Sequence, residues 1–185
     1  REGIPPGKTS RSIRFRSDRS ISCFHDQLQG RVVSEVDDFI IKRADGLFAY
    51  QLAVVVDDAA SRINQVVRGA DLLSSTPRQI FLHACLGSPV PEYIHLPLLT
   101  DRHGEKISKR HGVVSFDPKV NPSALIVRAL SLLGQIVPEE IGKSAPAEVL
   151  EWACRNLDRK RIPLSPQGLV LDDLAFNCEK KRKPH

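Results

Sequence analysis

The chain alternates short β segments with helical segments, and this alternation restricts the fold more than any other feature of the sequence. Residues 63–67 are predicted to form one strand, and residues 93–99 a second strand, interrupted by a proline. Between them, Thr76-Pro77 predicts the start of a helix with Thr76 as its N-cap, and Gly87 predicts its end. A strand, a helix and a strand in this order indicate an α/β fold.

Further strands precede this unit. Alternating polar and apolar residues and the turn signals between them predict strands at 13–16, 21–24, 31–36 and 39–42. Residues 47–56 are apolar enough for a buried strand, and their extension to Ala60 suits a buried helix equally well. Periodicity does not decide between these two alternatives.

Helices are predicted after the second strand of the α/β unit. Asn121-Pro122 begins one helix, and residues 146–157 form the next. The apolar stripe of the first of these helices is predicted to consist of Leu125, Ala129, Leu132, Leu133 and Ile136. Residues 159–185 are expected to be loose and to end in a mobile basic tail.

Composition and charge limit the class of protein. Of the 185 residues, 41% are hydrophobic and 26% are charged, so the chain can bury a core. No apolar run approaches membrane-spanning length, and we therefore expect a cytoplasmic protein with no membrane partner. The net charge of +5 favours anionic partners such as nucleotides or RNA, although a mildly basic protein without such partners fits it equally well.

The cysteines and histidines do not predict a metal site in this segment. No two of the four cysteines have Cys-x-x-Cys spacing, and we expect all four to be reduced and mostly structural. Cys85 and Cys154 are predicted to lie on apolar helical faces. His83 and His95 are interpreted as packing or surface residues.

Two cationic features suggest a binding site. Lys106, Ser108 and Lys109 place two ammonium groups and a hydroxyl on one loop, an arrangement that suits a polyphosphate but is also common in solvated basic turns. Arg68 directly follows the strand at 63–67, and in parallel sheets ligands bind beyond the carboxyl ends of the strands. The sequence therefore predicts that a substrate with carboxylate and phosphate groups lies between Arg68 and the Lys106–Lys109 loop.

Four segments, in their order and spacing, resemble the second half of the catalytic domain of class I glutamyl-type aminoacyl-tRNA synthetases. They are residues 45–58, 67–73, 75–79 and 105–109. The resemblance is strongest to the shortened paralogue that acts on queuosine in tRNA(Asp). Ala70 is typical of that paralogue, and the chain after Arg110 is too short for an additional anticodon-reading domain of about 100 residues.

The resemblance implies an α/β fold made of the second half of a Rossmann-like catalytic domain with a short C-terminal helical appendage. We expect the partial catalytic domain at residues 1–118, the appendage at 119–160 and the tail at 161–185. The implied function is ATP-dependent activation of L-glutamate and transfer to the queuosine wobble base of tRNA(Asp). The alternatives are a truncated glutamyl-tRNA synthetase that charges tRNA(Glu) and a non-catalytic tRNA-binding remnant.

The resemblance also implies roles for individual residues. Lys106, Ser108 and Lys109 match the catalytic signature loop, in which Lys109 contacts ATP and stabilises the leaving pyrophosphate, while Tyr50 and Arg68 match the glutamate-binding residues. From the residues alone, Tyr50 could be a core tyrosine, and Arg68 could form an ion pair with Asp71 or Asp57. Asp57-Asp58 is interpreted as a helix end rather than a metal site.

Parts of the family pattern are not found in this sequence. The chain contains no methionine and begins with Arg1, so we expect it to be processed or part of a longer protein. The family's nucleotide-binding strand, its His-x-Gly-His-like motif and a cysteine-containing Zn²⁺ cluster are expected to precede Arg1. We therefore expect this segment to be inactive alone, with Mg²⁺ accompanying ATP and Zn²⁺ bound in the missing N-terminal part.

Overall fold

The computed structural model describes residues 12–101, 103, 105–107, 121–164 and 169–170. It divides into two compact units, Arg1–Leu96 and Pro97–His185, which are described separately below. The predicted domain boundary at residues 118 and 119 falls outside the described residues, and it stays a prediction.

The described residues of the first unit, 12–96, form six strands and two α-helices. The strands are β1 (Ile13–Phe15), β2 (Ile21–Asp26), β3 (Gly30–Glu35), β4 (Phe39–Lys42), β5 (Gln65–Gly69) and β6 (Glu92–Leu96). The helices are α1 (Tyr50–Ala60) and α2 (Thr76–Leu86), and a 3-10 helix spans Ala70–Ser75.

A four-stranded sheet with the order β3-β2-β6-β5 organises the first unit. The β2–β3 hairpin is antiparallel, whereas β6 runs parallel to both β2 and β5. Parallel strands need a crossover connection, and the segment that joins β5 to β6 makes this crossover and contains α2. The predicted α/β fold is confirmed.

Several local predictions need correction. The ambiguous segment at 47–56 contributes to a helix, α1, and β5 begins at Gln65, two residues later than predicted. Ser75, not Thr76, is the N-cap of α2, because the Thr76 hydroxyl hydrogen-bonds to other partners. The predicted end of α2 is confirmed: Gly87 has a φ of 65°, a left-handed conformation that glycine adopts without a steric penalty.

A hydrophobic cluster of Val36, Phe39, Val55 and Leu82 forms the core of the first unit. It joins β4 to both helices, and the ring of Phe15 on β1 stacks on Phe39 with a centroid separation of 5.2 Å. Full burial of one such side chain stabilises a fold by about 1.5–3 kcal/mol. This cluster therefore fixes α1 and α2 relative to the strands.

The second unit is mainly helical. Its elements are β7 (Leu99–Thr100), α3 (Pro122–Leu132), α4 (Glu139–Gly142), α5 (Pro146–Asn156) and β8 (Leu169–Val170). The Asn121 side chain caps α3 by accepting a hydrogen bond from the Ser123 N–H at 2.9 Å, which confirms the predicted start of this helix. Leu130, Val149 and Ala153 form the buried core.

The predicted apolar stripe of α3 is wrong at two of its five positions, while Leu125, Leu132 and Leu133 are half-buried. Ala129 is exposed, Ile136 lies beyond the helix with 74% of its surface exposed, and the buried positions are Ser123 and Leu130, with Ile126 packed beside them. Apolar residues surround most of this helix, so hydrophobicity alone does not indicate which face is buried.

The described part of the segment predicted to be loose is packed at two places. Ile162 is only 6% exposed, and β8 pairs in parallel with β7, whereas residues 159–161 and Leu164 are exposed. Residues 165–168 and 171–185 of this segment lie outside the described residues. No helix in the described part of the chain has the length and apolar character needed to cross a membrane.

The cysteines Cys23, Cys85 and Cys154 are free thiols, as predicted. All three are exposed, so the prediction that Cys85 and Cys154 pack on apolar helical faces is wrong. Both residues lie on sides of their helices that the hydrophobic clusters leave uncovered. Cys178 lies outside the described residues.

Candidate active site

Arg68 lies near the carboxyl end of β5, where the sheet register places it directly beside His95 of β6. Its guanidinium Nε donates a hydrogen bond to His95 Nε2 at 3.0 Å. Its Nη2 donates to Thr76 Oγ1 at 2.9 Å and to Gln79 Oε1 at 2.7 Å. These acceptors belong to uncharged groups and are nearly or fully buried, so the half-buried guanidinium of Arg68 is held in one orientation.

A buried carboxylate holds the other side of the imidazole. His95 Nδ1 lies 2.6 Å from Asp26 Oδ2, and both side chains are fully buried. Because His95 Nε2 accepts a hydrogen bond from Arg68 Nε–H, the hydrogen-bond network assigns the imidazole proton to Nδ1. Asp26, His95 and Arg68 thus form a continuous chain of hydrogen bonds across three strands.

The protonation states in this chain follow from burial and from the neighbouring charges. Burial lowers the pKa of His95, and its contacts with Asp26 only partly oppose this shift. Burial raises the pKa of Asp26, but hydrogen bonds from the Gln29 and Leu28 N–H groups and from His95 outweigh it, so the net shift is downward. At neutral pH the pair therefore consists of a neutral imidazole beside an ionised carboxylate.

An aromatic ring supports the face of the guanidinium. The Cζ of Arg68 lies 5.3 Å from the ring centroid of Tyr93, within the range of a cation–π interaction. Tyr93 is 3% exposed and stacks on His95 with a centroid separation of 6.0 Å. Burial raises the pKa of Tyr93 to about 12, so its ring stays uncharged at physiological pH.

Tyr50 is the first residue of α1 and is 52% exposed, so its interpretation as a core tyrosine is wrong. The next residue connects this helix end to Arg68. Gln51 Oε1 accepts a hydrogen bond from Gln79 Nε2 at 2.9 Å, and Gln79 in turn accepts from Arg68. The first turn of α1, which carries Tyr50, is therefore linked to the Arg68 guanidinium through two hydrogen bonds.

The predicted ATP-binding loop is described only in part. Lys106 is exposed and belongs to the second unit, where its backbone forms a β-bridge with Thr100. Ser108 and Lys109 lie outside the described residues. The convergence of this loop on Arg68 therefore stays a prediction.

No group of three or more potential metal ligands occurs among the residues that the structure describes. Asp57 and Asp58 lie in the last turns of α1, and the Asp57 carbonyl accepts the N–H of Ser61 that closes the helix. Their helix-end interpretation is confirmed.

Sequence reasoning named Arg68 and Tyr50 as candidates, but it did not single out Asp26, and it interpreted His95 only as a packing or surface residue. The two members of the buried pair are 69 positions apart, so no local spacing connects them. One signal was present in the sequence: His95 lies in a predicted strand between apolar residues, and in the structure Tyr93, Ile94 and His95 of this strand are all buried. A buried histidine needs hydrogen-bond partners, and the carboxylate at the end of β2 supplies one.

Comparison with known proteins identifies the class to which this fold and site belong. A family model described as the catalytic domain of class I tRNA synthetases (E and Q) matches residues 6–144. The chain belongs to this family.

The names of individual relatives are more specific than the description of the family. The chain is 49% identical over 177 residues to the glutamyl-Q tRNA(Asp) synthetase of Dechloromonas aromatica (strain RCB), which covers 92% of this chain and 57% of the relative. It is 48% identical to the glutamyl-Q tRNA(Asp) synthetase of Geobacter sulfurreducens, over 88% of this chain and 54% of the relative. The chain thus spans little more than half the length of these relatives.

A solved structure supports the fold. The glutamate-tRNA synthetase from Elizabethkingia anophelis superimposes with a TM-score of 0.65 at 22% identity, over 89% of this chain and 37% of the other. At this identity the likeness shows the fold alone.

Proposed function

We propose that this chain is part of a ligase that activates L-glutamate with ATP and transfers the glutamyl group to the queuosine wobble base of tRNA(Asp). The observation that carries the proposal is the fixed Arg68 guanidinium near the carboxyl end of β5, which is linked through Gln79 to Gln51, the residue that follows the exposed Tyr50. The names of the relatives support the same activity. The free thiols of Cys23, Cys85 and Cys154 are compatible with a cytoplasmic location.

In this proposal Arg68 and Tyr50 bind glutamate. Nε and Nη2 of Arg68 are occupied by protein acceptors, whereas Nη1 makes no hydrogen bond to the described residues. A carboxylate of glutamate would therefore accept hydrogen bonds mainly from Nη1, with the Tyr50 hydroxyl as a second donor. Arg68 would thus bind the carboxylate through one nitrogen rather than through a two-nitrogen fork.

The proposed reaction has two steps. A glutamate carboxylate oxygen attacks the α-phosphorus of ATP, the bond to the pyrophosphate oxygen breaks, and glutamyl-adenylate forms. A queuosine hydroxyl then attacks the acyl carbon and releases AMP. Lys106, Ser108 and Lys109 would bind the phosphates, with Lys109 stabilising the charge on the departing pyrophosphate, and Mg²⁺ would accompany ATP as its counterion.

Activation is tested on the full-length product of the gene that encodes this chain. Glutamate-dependent exchange of pyrophosphate into ATP is expected, and Lys109→Ala should reduce the exchange rate about a hundredfold or more with little change in thermal stability. A binding module without catalysis would show no exchange in the wild type. It would bind tRNA with an affinity that falls steeply with salt.

The acceptor is identified with three purified tRNAs and labelled glutamate. The proposal expects transfer to tRNA(Asp) that carries queuosine, and no transfer to tRNA(Asp) with unmodified guanosine or to tRNA(Glu). Charging of tRNA(Glu) would instead identify a glutamyl-tRNA synthetase and contradict the proposal.

Substitutions at the glutamate site test the two binding residues. Arg68→Lys removes the planar donor set, and the KM for glutamate should rise about tenfold to a hundredfold with the KM for ATP unchanged. Tyr50→Phe deletes one hydroxyl and should raise the same KM about fivefold. Asp57→Asn, on the exposed side of α1, is the control and should leave both KM values unchanged.

A further inference from the structure

We propose that Asp26 and His95 are positioning residues, which fix the imidazole as the Nδ1-protonated tautomer and thereby present Nη1 of Arg68 to the substrate carboxylate. Neither residue is expected to touch glutamate. The inference rests on the proposed role of Arg68 in glutamate binding.

The donors of Arg68 show why the imidazole matters. A guanidinium has five N–H groups, one on Nε and two on each Nη. The Nε–H is used by His95 and the Nη2 hydrogens face Thr76, Gln79 and the more distant Leu72 carbonyl at 3.4 Å. With these two nitrogens fixed in a planar group, the position of Nη1 is determined.

The contacts of His95 Nε2 favour one tautomer. Nε2 accepts from Arg68 Nε at 3.0 Å and also lies 3.2 Å from the Thr76 hydroxyl, which can donate either to it or to the Leu72 carbonyl. If Nε2 carried the proton, two N–H donors would face each other at the 3.0 Å separation between His95 Nε2 and Arg68 Nε. Protonation on Nδ1 removes this conflict and supplies the hydrogen that Asp26 Oδ2 accepts at 2.6 Å. The carboxylate therefore selects the tautomer that accepts from Arg68.

The choice of Asp over Asn at position 26 points to the same role. Asp26 Oδ1 accepts hydrogen bonds from the N–H groups of Gln29 at 2.8 Å and Leu28 at 3.0 Å, and an asparagine oxygen could accept both. Burying a carboxylate is costly unless its charge is compensated. Only the contact between Oδ2 and His95 requires a group without hydrogens.

Asp26→Asn is the discriminating substitution. Its amide oxygen can retain the turn at Leu28 and Gln29, which places the NH₂ group against His95 Nδ1. Two donors cannot pair, so the imidazole proton should move to Nε2, where it opposes the Arg68 Nε–H. We expect a rise of about tenfold or more in the KM for glutamate, with kcat and the KM for ATP changed much less.

Two measurements on the full-length protein follow this change. Long-range ¹H–¹⁵N spectra of the His95 imidazole show which nitrogen carries the proton, and they should change from Nδ1–H in the wild type to Nε2–H in Asp26→Asn. Thermal unfolding shows that the variant is folded under the assay conditions.

His95→Gln provides the rescue. Its amide oxygen can lie near the position of Nε2 and accept from Arg68, so the KM for glutamate should stay within about threefold of the wild type. The His95→Gln background has no imidazole at this position, so Asp26→Asn cannot change a tautomer there. It should therefore raise the KM for glutamate little further. This near-absence of a further effect distinguishes positioning through the imidazole from a general loss of structure.

The outcomes separate the two proposals. A glutamate KM in folded Asp26→Asn equal to that of an active wild type, or an imidazole that keeps its proton on Nδ1, overturns the positioning role alone. An equally large rise in KM from Asp26→Asn in the His95→Gln background overturns it as well. A wild-type protein without glutamate activation overturns the proposed function, and the positioning role with it.

Discussion

The surroundings of Gly134 restrict this position to glycine. Gly134 has a φ of 73°, and a Cβ placed on it would lie 2.1 Å from the carbonyl oxygen of Arg161. Both the left-handed conformation and the contact with backbone disfavour a side chain. We predict that Gly134→Ala lowers the free energy of unfolding of the second unit by at least about 2 kcal/mol.

Trp152 on α5, the sole tryptophan of the chain, reports on this unit in urea denaturation followed by fluorescence. The matched control is Gly142→Ala, where an added Cβ meets only a methyl of Val127 at 3.6 Å. It should be neutral or slightly stabilising. Equal losses in the two variants would contradict the close approach of Arg161 to Gly134.

Buried histidines make the stability of the first unit depend on pH. Burial lowers the pKa of His95 and His83 below the ordinary value of 6.5, so the unfolded chain takes up protons first. Their contribution is therefore fully present above pH 6.5 and is lost as the pH falls below it. The charged and titratable groups near His95 are Asp26, Arg68, Asp71 and Tyr93, and Asp58 acts on His83.

This dependence is measured by near-ultraviolet circular dichroism, because both tyrosines of the chain, Tyr50 and Tyr93, belong to the first unit. The urea midpoint should fall on acidification from about pH 7.5 to about pH 5. His83→Gln and His95→Gln should each flatten part of the slope. Asp26, whose pKa is lowered from 3.8, adds a further loss at lower pH, and a midpoint that rises on acidification would contradict this assignment.

At the residue scale, the sequence suggests candidate ligand-binding groups but not the groups that hold them in place. Tyr50 and Arg68 belong to recognisable segments, so the resemblance proposes them as candidates. His95 and Asp26 act through each other and through Arg68, across strands that are brought together only by the sheet. A pair that depends on non-local strand pairing leaves no periodic signal in the sequence.

At the element scale, the ends of helices are predictable where the capping group has no competing partner. Gly87 and Asn121 act locally, and both predictions are confirmed. Thr76 has the right residue type for an N-cap, but its hydroxyl accepts from Arg68 and donates toward the Leu72 carbonyl at 3.3 Å. The contact with Arg68 outweighs the local preference of Thr76 for capping. Ser75 therefore occupies the N-cap position, and the helix begins one residue earlier than predicted.

The Asn121 cap supports a testable prediction for α3. Asn121→Ala removes the acceptor for the Ser123 N–H and should lower the free energy of unfolding by about 1 kcal/mol, measured through Trp152 fluorescence. Asn121→Ser keeps an acceptor oxygen and should lower the free energy of unfolding by only a few tenths of a kcal/mol. If the two variants lose the same stability, the side-chain cap does not contribute.

At the scale of the whole molecule, the alternation of strands and helices along the sequence predicts the α/β class. This class depends only on the local pattern and on the crossover connections between parallel strands. The strand order does not follow in the same way. The β2–β3 hairpin adds to the sheet beside β6, and Asp26 pairs with Tyr93 across 67 positions of sequence. The face of α3 that is buried is likewise decided by what packs against it, since the helix is apolar on several sides.

Each unit has its own hydrophobic cluster, so the stability of the second should depend on its own buried residues. Val149 on α5 is fully buried against Leu130 and Ala153, whereas its neighbour Leu150 is 51% exposed. Val149→Ala should lower the free energy of unfolding reported by Trp152 by about 2 kcal/mol, since it removes two buried methyl groups and leaves a cavity. Leu150→Ala removes more carbon from the same helix and should cost less than about 0.5 kcal/mol. The opposite ranking would mean that α5 packs through a different face.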